Sequence, residues 1–193
     1  MSAAPTSERM ASAARRILVK EGADAVTMRR IAQATGVTAM AIYRHFPNRD
    51  GLLNTLADEG FDALAALLNS HRRTGNSRQR LLRLFDDFLD FALANPRLFE
   101  LMFLKPRKGA RRYPRDFKSG ASPTASLTAE LLRLGMDAGL FRKDDPWELT
   151  FEMGALLQGF VMLHLGGRTS LSPAQFRALC LRAFRRHFDG ICI

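Results

Sequence analysis

Apolar residues return every three or four positions through most of this chain, the period of helices with one buried face. Met10, Ala13, Ala14, Ile17 and Leu18 make the first stripe, opened by Thr6 and Ser7 and closed by Gly22. A tighter pattern follows. Thr27 and Thr38 each precede a short helical run and can accept a backbone N–H through their hydroxyls. Gly36 stands between the runs, where a turn needs a residue at ease with positive φ. Ala32 is small where the two helices must cross, and Ile31, Val37, Ile42 and Phe46 form a buried set with Val26. Residues 27–46 therefore predict two short helices around a turn, with a third helix of the head over 38–46.

The remainder reads as longer helices. Pro47 breaks the chain, Asn48 can cap the next helix, and Leu52, Leu53, Leu56, Phe61, Leu64, Leu67 and Leu68 keep a stripe to Ser70. Residues 71–80, HRRTGNSRQR, are expected as a polar turn. Leu81, Leu82, Phe85, Phe88, Leu89 and Ala92 mark a fifth helix, which Asn95-Pro96 stops. A short helix over 97–104 follows, and then a basic segment, 105–123, with no period, expected as a mobile loop. Three later helices open on a cap followed by proline: Ser122-Pro123, Asp145-Pro146 and Ser172-Pro173. The last two add Glu148 and Gln175 three residues after the cap. Residues 146–165 are apolar nearly all round and are expected to be buried on several sides, with Gly154, Ala155 and Gly159 allowing close approach. Phe176, Leu179, Cys180, Ala183, Phe184 and Phe188 stripe the final helix. The expectation is an all-α chain: a helix-turn-helix domain at 1–48 and a larger helical domain at 49–193, with 49–70 connecting them.

Composition narrows the classes. No apolar run reaches the roughly 18 residues of a membrane span, and MSAAPTSERMASAARR lacks an apolar signal core. The two cysteines, Cys180 and Cys192, cannot build a disulfide framework, so a reduced cytoplasmic protein is expected. The net charge of +10 favours a polyanionic partner. The four histidines, His45, His71, His164 and His187, are scattered without metal-ligand spacing. No phosphate-cradling loop or nucleophile elbow occurs either, so neither an enzyme, a metal nor a cofactor is called for.

A helix-turn-helix presents its second helix to the major groove of double-stranded DNA. Its exposed face should carry Thr38, Ala39, Met40, Tyr43 and Arg44, with Ala41 near its edge. Small and apolar side chains there can touch thymine methyls and let the helix sit deep. Base readout then leans on Thr38, Arg29 and Arg44 and on DNA shape.

The run GVTAMAIYRHFPNRDGLL, residues 36–53, resembles the DNA-binding end of the TetR family of bacterial regulators. Gly36, Val37, Tyr43, His45, Phe46, Asn48, Arg49, Leu52 and Leu53 carry the resemblance. It implies that Thr27 and the N–H groups behind it meet a phosphate, with Tyr43, His45 and Arg49 on phosphates and Arg29 on a base or phosphate. It also implies a homodimer through the last two helices and a ligand-released repressor. A small hydrophobic effector would bind the larger domain, with Phe88, Phe99, Phe103, Trp147, Phe151, Gln158 and His164 as candidate contacts. The competing reading is a nonspecific or architectural DNA-binding or protein-interaction module on the same fold. Salt separates the two, because phosphate attraction alone collapses as salt rises.

Overall fold

A computed structural model describes residues 6–70 and 74–192, and all but the side chain of Ala39 among them. The expected helices form in the expected order, and a short one forms in addition inside the basic segment expected as a mobile loop. They are α1 (Thr6–Glu21), α2 (Met28–Thr35), α3 (Ala39–His45), α4 (Arg49–Ser70), α5 (Ser77–Ala94), α6 (Pro96–Phe99), α7 (Arg115–Lys118), α8 (Pro123–Asp137), α9 (Pro146–Leu165) and α10 (Pro173–Ile191). Among the described residues there is no strand, and one isolated bridge pairs Phe141 with Cys192. No described helix is long and apolar enough to cross a membrane.

Local grammar explains most of the boundaries. Asn48 caps α4 by accepting the Gly51 N–H at 2.8 Å. Asp145 accepts the N–H of Trp147 at 2.7 Å and of Glu148 at 3.4 Å to start α9. Ser172 and Gln175 form a reciprocal capping box at the start of α10. At α8, Ser122 precedes the proline as expected, but its side chain makes no capping bond. The polar turn after α4 ends sooner than its composition suggests. Asn76 and Gln79 cap each other, with Gln79 N–H on Asn76 Oδ1 at 3.0 Å and Asn76 N–H on Gln79 Oε1 at 3.2 Å. That box starts α5 at Ser77, so residues 77–80 are helical rather than turn; residues 71–73 lie outside the described residues. The short helix after Pro96 continues as a π-helical turn over Glu100–Leu104.

The chain forms two compact units. The first takes residues 1–61 and 95–110. Met10, Ala14, Leu18, Val26, Ile31, Ile42, Leu52 and Phe99 are fully enclosed there. The second takes residues 62–94 and 111–193. Its core is aromatic: Phe85 stacks on Phe184 at 4.2 Å between centroids, and Phe141 on Phe188 at 6.1 Å. Gly135 permits the close approach of α8 to that core, because a Cβ there would collide with the Phe141 ring. The loop expected to be mobile divides between the units. Its first part is tied to α4 by hydrogen bonds described below. Its second part contains α7 and stacks Tyr113 on Phe151 at 4.4 Å.

Candidate nucleic-acid interface

Thr27 stands in extended backbone ahead of α2 and accepts the Arg30 N–H through its hydroxyl at 3.3 Å. Gly36 ends α2 at φ 69°, a conformation that strains any side chain, and so turns the chain toward α3. Thr38 repeats the cap and accepts the Ala41 N–H at 3.2 Å. Ile31, Ile42 and Phe46 are buried as expected, and Val37 is half-buried. Arg9 donates to the Thr35 carbonyl at 2.9 Å and so fastens α1 to the end of α2. Both helices of the motif are thereby held from behind.

Most of the anticipated face is open. Met40 is 68% exposed and Tyr43 49% exposed, and Thr38, Arg44 and His45 are also exposed. Ala41 is half-buried at the edge, and the side chain of Ala39 lies outside the described residues. Arg29 is exposed on α2. The α3 sequence AMAIYRH contains no carboxylate, so nothing on the helix repels a polyanion.

Two other arginines of the head turn inward. Arg30 binds Glu21 with both terminal nitrogens, at 2.8 and 2.6 Å, which holds the Glu21 carboxyl below its ordinary range. Arg49 donates its Nε to the Val26 carbonyl at 2.8 Å and an Nη to the Ala23 carbonyl at 2.7 Å. Its guanidinium thus fastens the first turn of α4 to the loop before α2. Charge-assisted bonds to two carbonyls make a strong fastening. This positioning role was not foreseen: the partners are backbone carbonyls more than twenty residues upstream, and no local pattern announces them.

The candidate ligand contacts divide between the units. Phe99 and Phe103 lie in the first, where Phe103 packs on Phe99 at 4.9 Å and edge-on to Phe61 at 5.2 Å. Phe88, Trp147, Phe151, Gln158 and His164 lie in the second. Phe88 is buried and Phe151 is exposed beneath Tyr113. His164 is already engaged, stacked on Phe176 at 4.1 Å with Nδ1 2.9 Å from the Thr169 hydroxyl. Among the described residues no cluster of His, Cys, Asp and Glu is arranged to hold a metal ion.

Comparison with known proteins reaches both units. Residues 11–56 match the family model for bacterial regulatory proteins of the tetR family, and residues 81–186 match a tetracyclin repressor-like C-terminal domain. The chain is 31% identical over 146 residues to tetracycline repressor protein class A from transposon 1721 of Escherichia coli. That match covers 74% of this chain but only 61% of the repressor's length. It is 32% identical over 139 residues to the HTH-type transcriptional repressor Rv1474c of Mycobacterium tuberculosis, covering 69% of this chain and 67% of that one. A solved structure of a Rhodococcus sp. RHA1 protein of unknown function has the same fold, at TM-score 0.80 and 24% identity over 99% of this chain and 97% of that one.

Proposed function

Because this chain belongs to the TetR family of bacterial regulatory proteins, we propose that it is a dimeric transcriptional repressor whose α3 reads a two-fold-symmetric operator. The observation that carries this reading is the open, carboxylate-free face of α3. Thr38, Met40, Tyr43 and Arg44 meet the major groove. Thr27, Tyr43 and His45 take phosphates, with Arg29 on a base or phosphate. Arg49 approaches the backbone at the start of α4 while fastening that helix to the head. One head reads few bases, and two heads in a dimer span half-sites about 34–36 Å apart.

The dimer forms through α9 and α10. Phe151, Met162, Leu163 and Leu165 stand 46, 49, 45 and 38% exposed on α9 in the single chain, so the helix expected to be buried on several sides is buried on one. A Cβ at Gly159 would meet nothing within 4 Å, which leaves room there for a second copy. A small, mainly apolar effector binds the second unit, with Phe88, Trp147, Phe151 and Gln158 as its candidate contacts. His164 is a further candidate there, and Phe99 and Phe103 are candidates within the first unit. The signal travels along α4, 22 continuous residues or about 33 Å. Unit one holds its start and unit two its end. An effector that tilts it changes the head spacing and lowers operator affinity by about 5–150-fold.

Selection of duplexes from a randomised pool at near-physiological salt tests the operator. A palindromic motif, weakened by Thr38→Ala with Tyr43→Phe, is the expected result. Binding without a motif, lost uniformly as salt rises, favours the nonspecific module instead.

A further inference from the structure

The head's own unit contains a second basic element. Residues 105–108, KPRK, lie far along the chain from the helix-turn-helix, yet they pack in the same unit. They border a groove of about 220 Å³ whose other walls include Ala23 and Asp24, just ahead of the α2 cap, and Arg49 and Asp50 in the first turn of α4. These are the two helix starts that the reading above aims at the DNA backbone. Four cations line the groove against two carboxylates.

The cations differ in what they are free to do. Lys105 pairs with Asp24 at 2.8 Å, and Arg49 adds a longer contact to the same carboxylate at 3.7 Å. That pairing holds the Asp24 carboxyl below its ordinary range and neutralises it as a source of repulsion. Arg107 donates its Nε to the Leu101 carbonyl at 3.1 Å and an Nη to Asn54 Oδ1 at 3.0 Å. Asn54 in turn donates its Nδ2 to the Lys108 carbonyl at 2.9 Å. Asn54, on the second turn of α4, thus fixes the backbone of Lys108 and the side chain before it. The Lys108 side chain is exposed, and its ammonium makes no ion pair among the described residues. A charge on a fixed backbone, with no pair to break, is ready for a phosphate.

We propose that Lys108 is an outer phosphate contact, binding the DNA backbone beyond the bases covered by α3, with Asn54 as its positioning residue. The inference rests on the head binding DNA as read above. It is tested with the full-length protein on the selected operator and on a random duplex of equal length, each titrated at several salt concentrations. With Lys108→Gln, the slope of log K against log salt becomes shallower by about 0.9 on both duplexes, the value for one lost phosphate contact. The selected motif stays the same, and so does the melting temperature. Asn54→Ala loses part of the same slope although Asn54 touches no DNA. Trimming the operator's outer base pairs removes the difference between the wild type and Lys108→Gln. An unchanged slope in Lys108→Gln on both duplexes overturns the proposal. If the wild type still prefers its motif in that case, the operator reading stands alone. If no motif is recovered but the slopes differ on random DNA, Lys108 binds phosphate and the operator reading fails.

Discussion

The open faces of α3 and α9 are both apolar, and they differ in the charges beside them. On α3, Met40 and Tyr43 are flanked by Arg44 and His45, and the helix has no Asp or Glu. On α9, Phe151, Met162 and Leu163 are exposed with Glu148 and Glu152, and the helix has no Lys or Arg. An exposed apolar patch marks a contact surface, and its charges mark the partner. A face without carboxylates suits phosphates. A face without cations, on a helix buried along its opposite side, suits a copy of the chain. On the proposed reading, DNA binding and self-pairing thus separate by charge.

The sharpest way to break this comparison is to place the same new charge on each face. Met162→Glu puts an unpaired carboxylate into each half of the proposed dimer contact, where a buried, uncompensated charge costs about 3–5 kcal/mol. Sedimentation velocity at a concentration where the wild type is dimeric should find monomers. A dimer that survives would mean that α9 pairs with nothing. Met40→Glu should leave the dimer intact and remove operator binding, because its carboxylate meets the phosphates and base edges instead. If Met40→Glu also gave monomers, the separation by charge would be wrong.

A smaller change sharpens the DNA side. Arg44→Ala should weaken operator binding by about 1–3 kcal/mol if its guanidinium reads a base, and should relax the motif at one position. A uniform loss across all sequences, with a reduced salt slope, would instead make Arg44 a phosphate contact. Titration of the selected operator and its single-base variants distinguishes the two.

What the sequence revealed follows the reach of each interaction. Caps act over three residues, so Thr27, Thr38, Asn48, Asp145 and Ser172 were legible, and so were most helix starts. The Asn76–Gln79 box has the same reach but lay inside a polar stretch whose composition spoke for a turn. Long-range partners were not legible. Nothing near Arg49 signals that it binds the carbonyls of Ala23 and Val26, and nothing near Lys108 signals that Asn54 holds it. An all-round apolar helix such as α9 says that it needs covering, but not whether its own chain or another supplies the cover.

Arg49 gives a prediction on the stability of the head. Arg49→Ala removes two charge-assisted hydrogen bonds to carbonyls of the loop before α2 and should destabilise the protein by about 1–2 kcal/mol in thermal unfolding. Arg29→Ala, on an exposed side chain nearby, should leave stability unchanged and affect DNA binding alone. Equal stability of the two variants would show that the inward turn of Arg49 contributes nothing to the fold.

The smallest effect belongs to Asp145, which starts the helix that carries the α9 face. Its carboxylate accepts the Trp147 and Glu148 N–H groups and the Lys118 ammonium, the last at 2.8 Å. Lys118, first, and then the Trp147 N–H hold its pKa below the ordinary 3.8. Asp145→Ala should cost about 1 kcal/mol, the usual worth of an N-cap. Asp145→Asn keeps an oxygen for the cap and loses only the charge, so it should cost less. The pH dependence fixes the sign. The folded carboxyl is the stronger acid, so the unfolded chain binds its proton first as the pH falls. The stabilisation is therefore complete above the ordinary carboxylate range. It declines as the pH drops through 3.8 toward the lower folded value. Melting temperatures of the wild type and Asp145→Asn, measured down this range, should converge. A gap that stayed constant would mean that the shape of the side chain, and not its charge, starts α9.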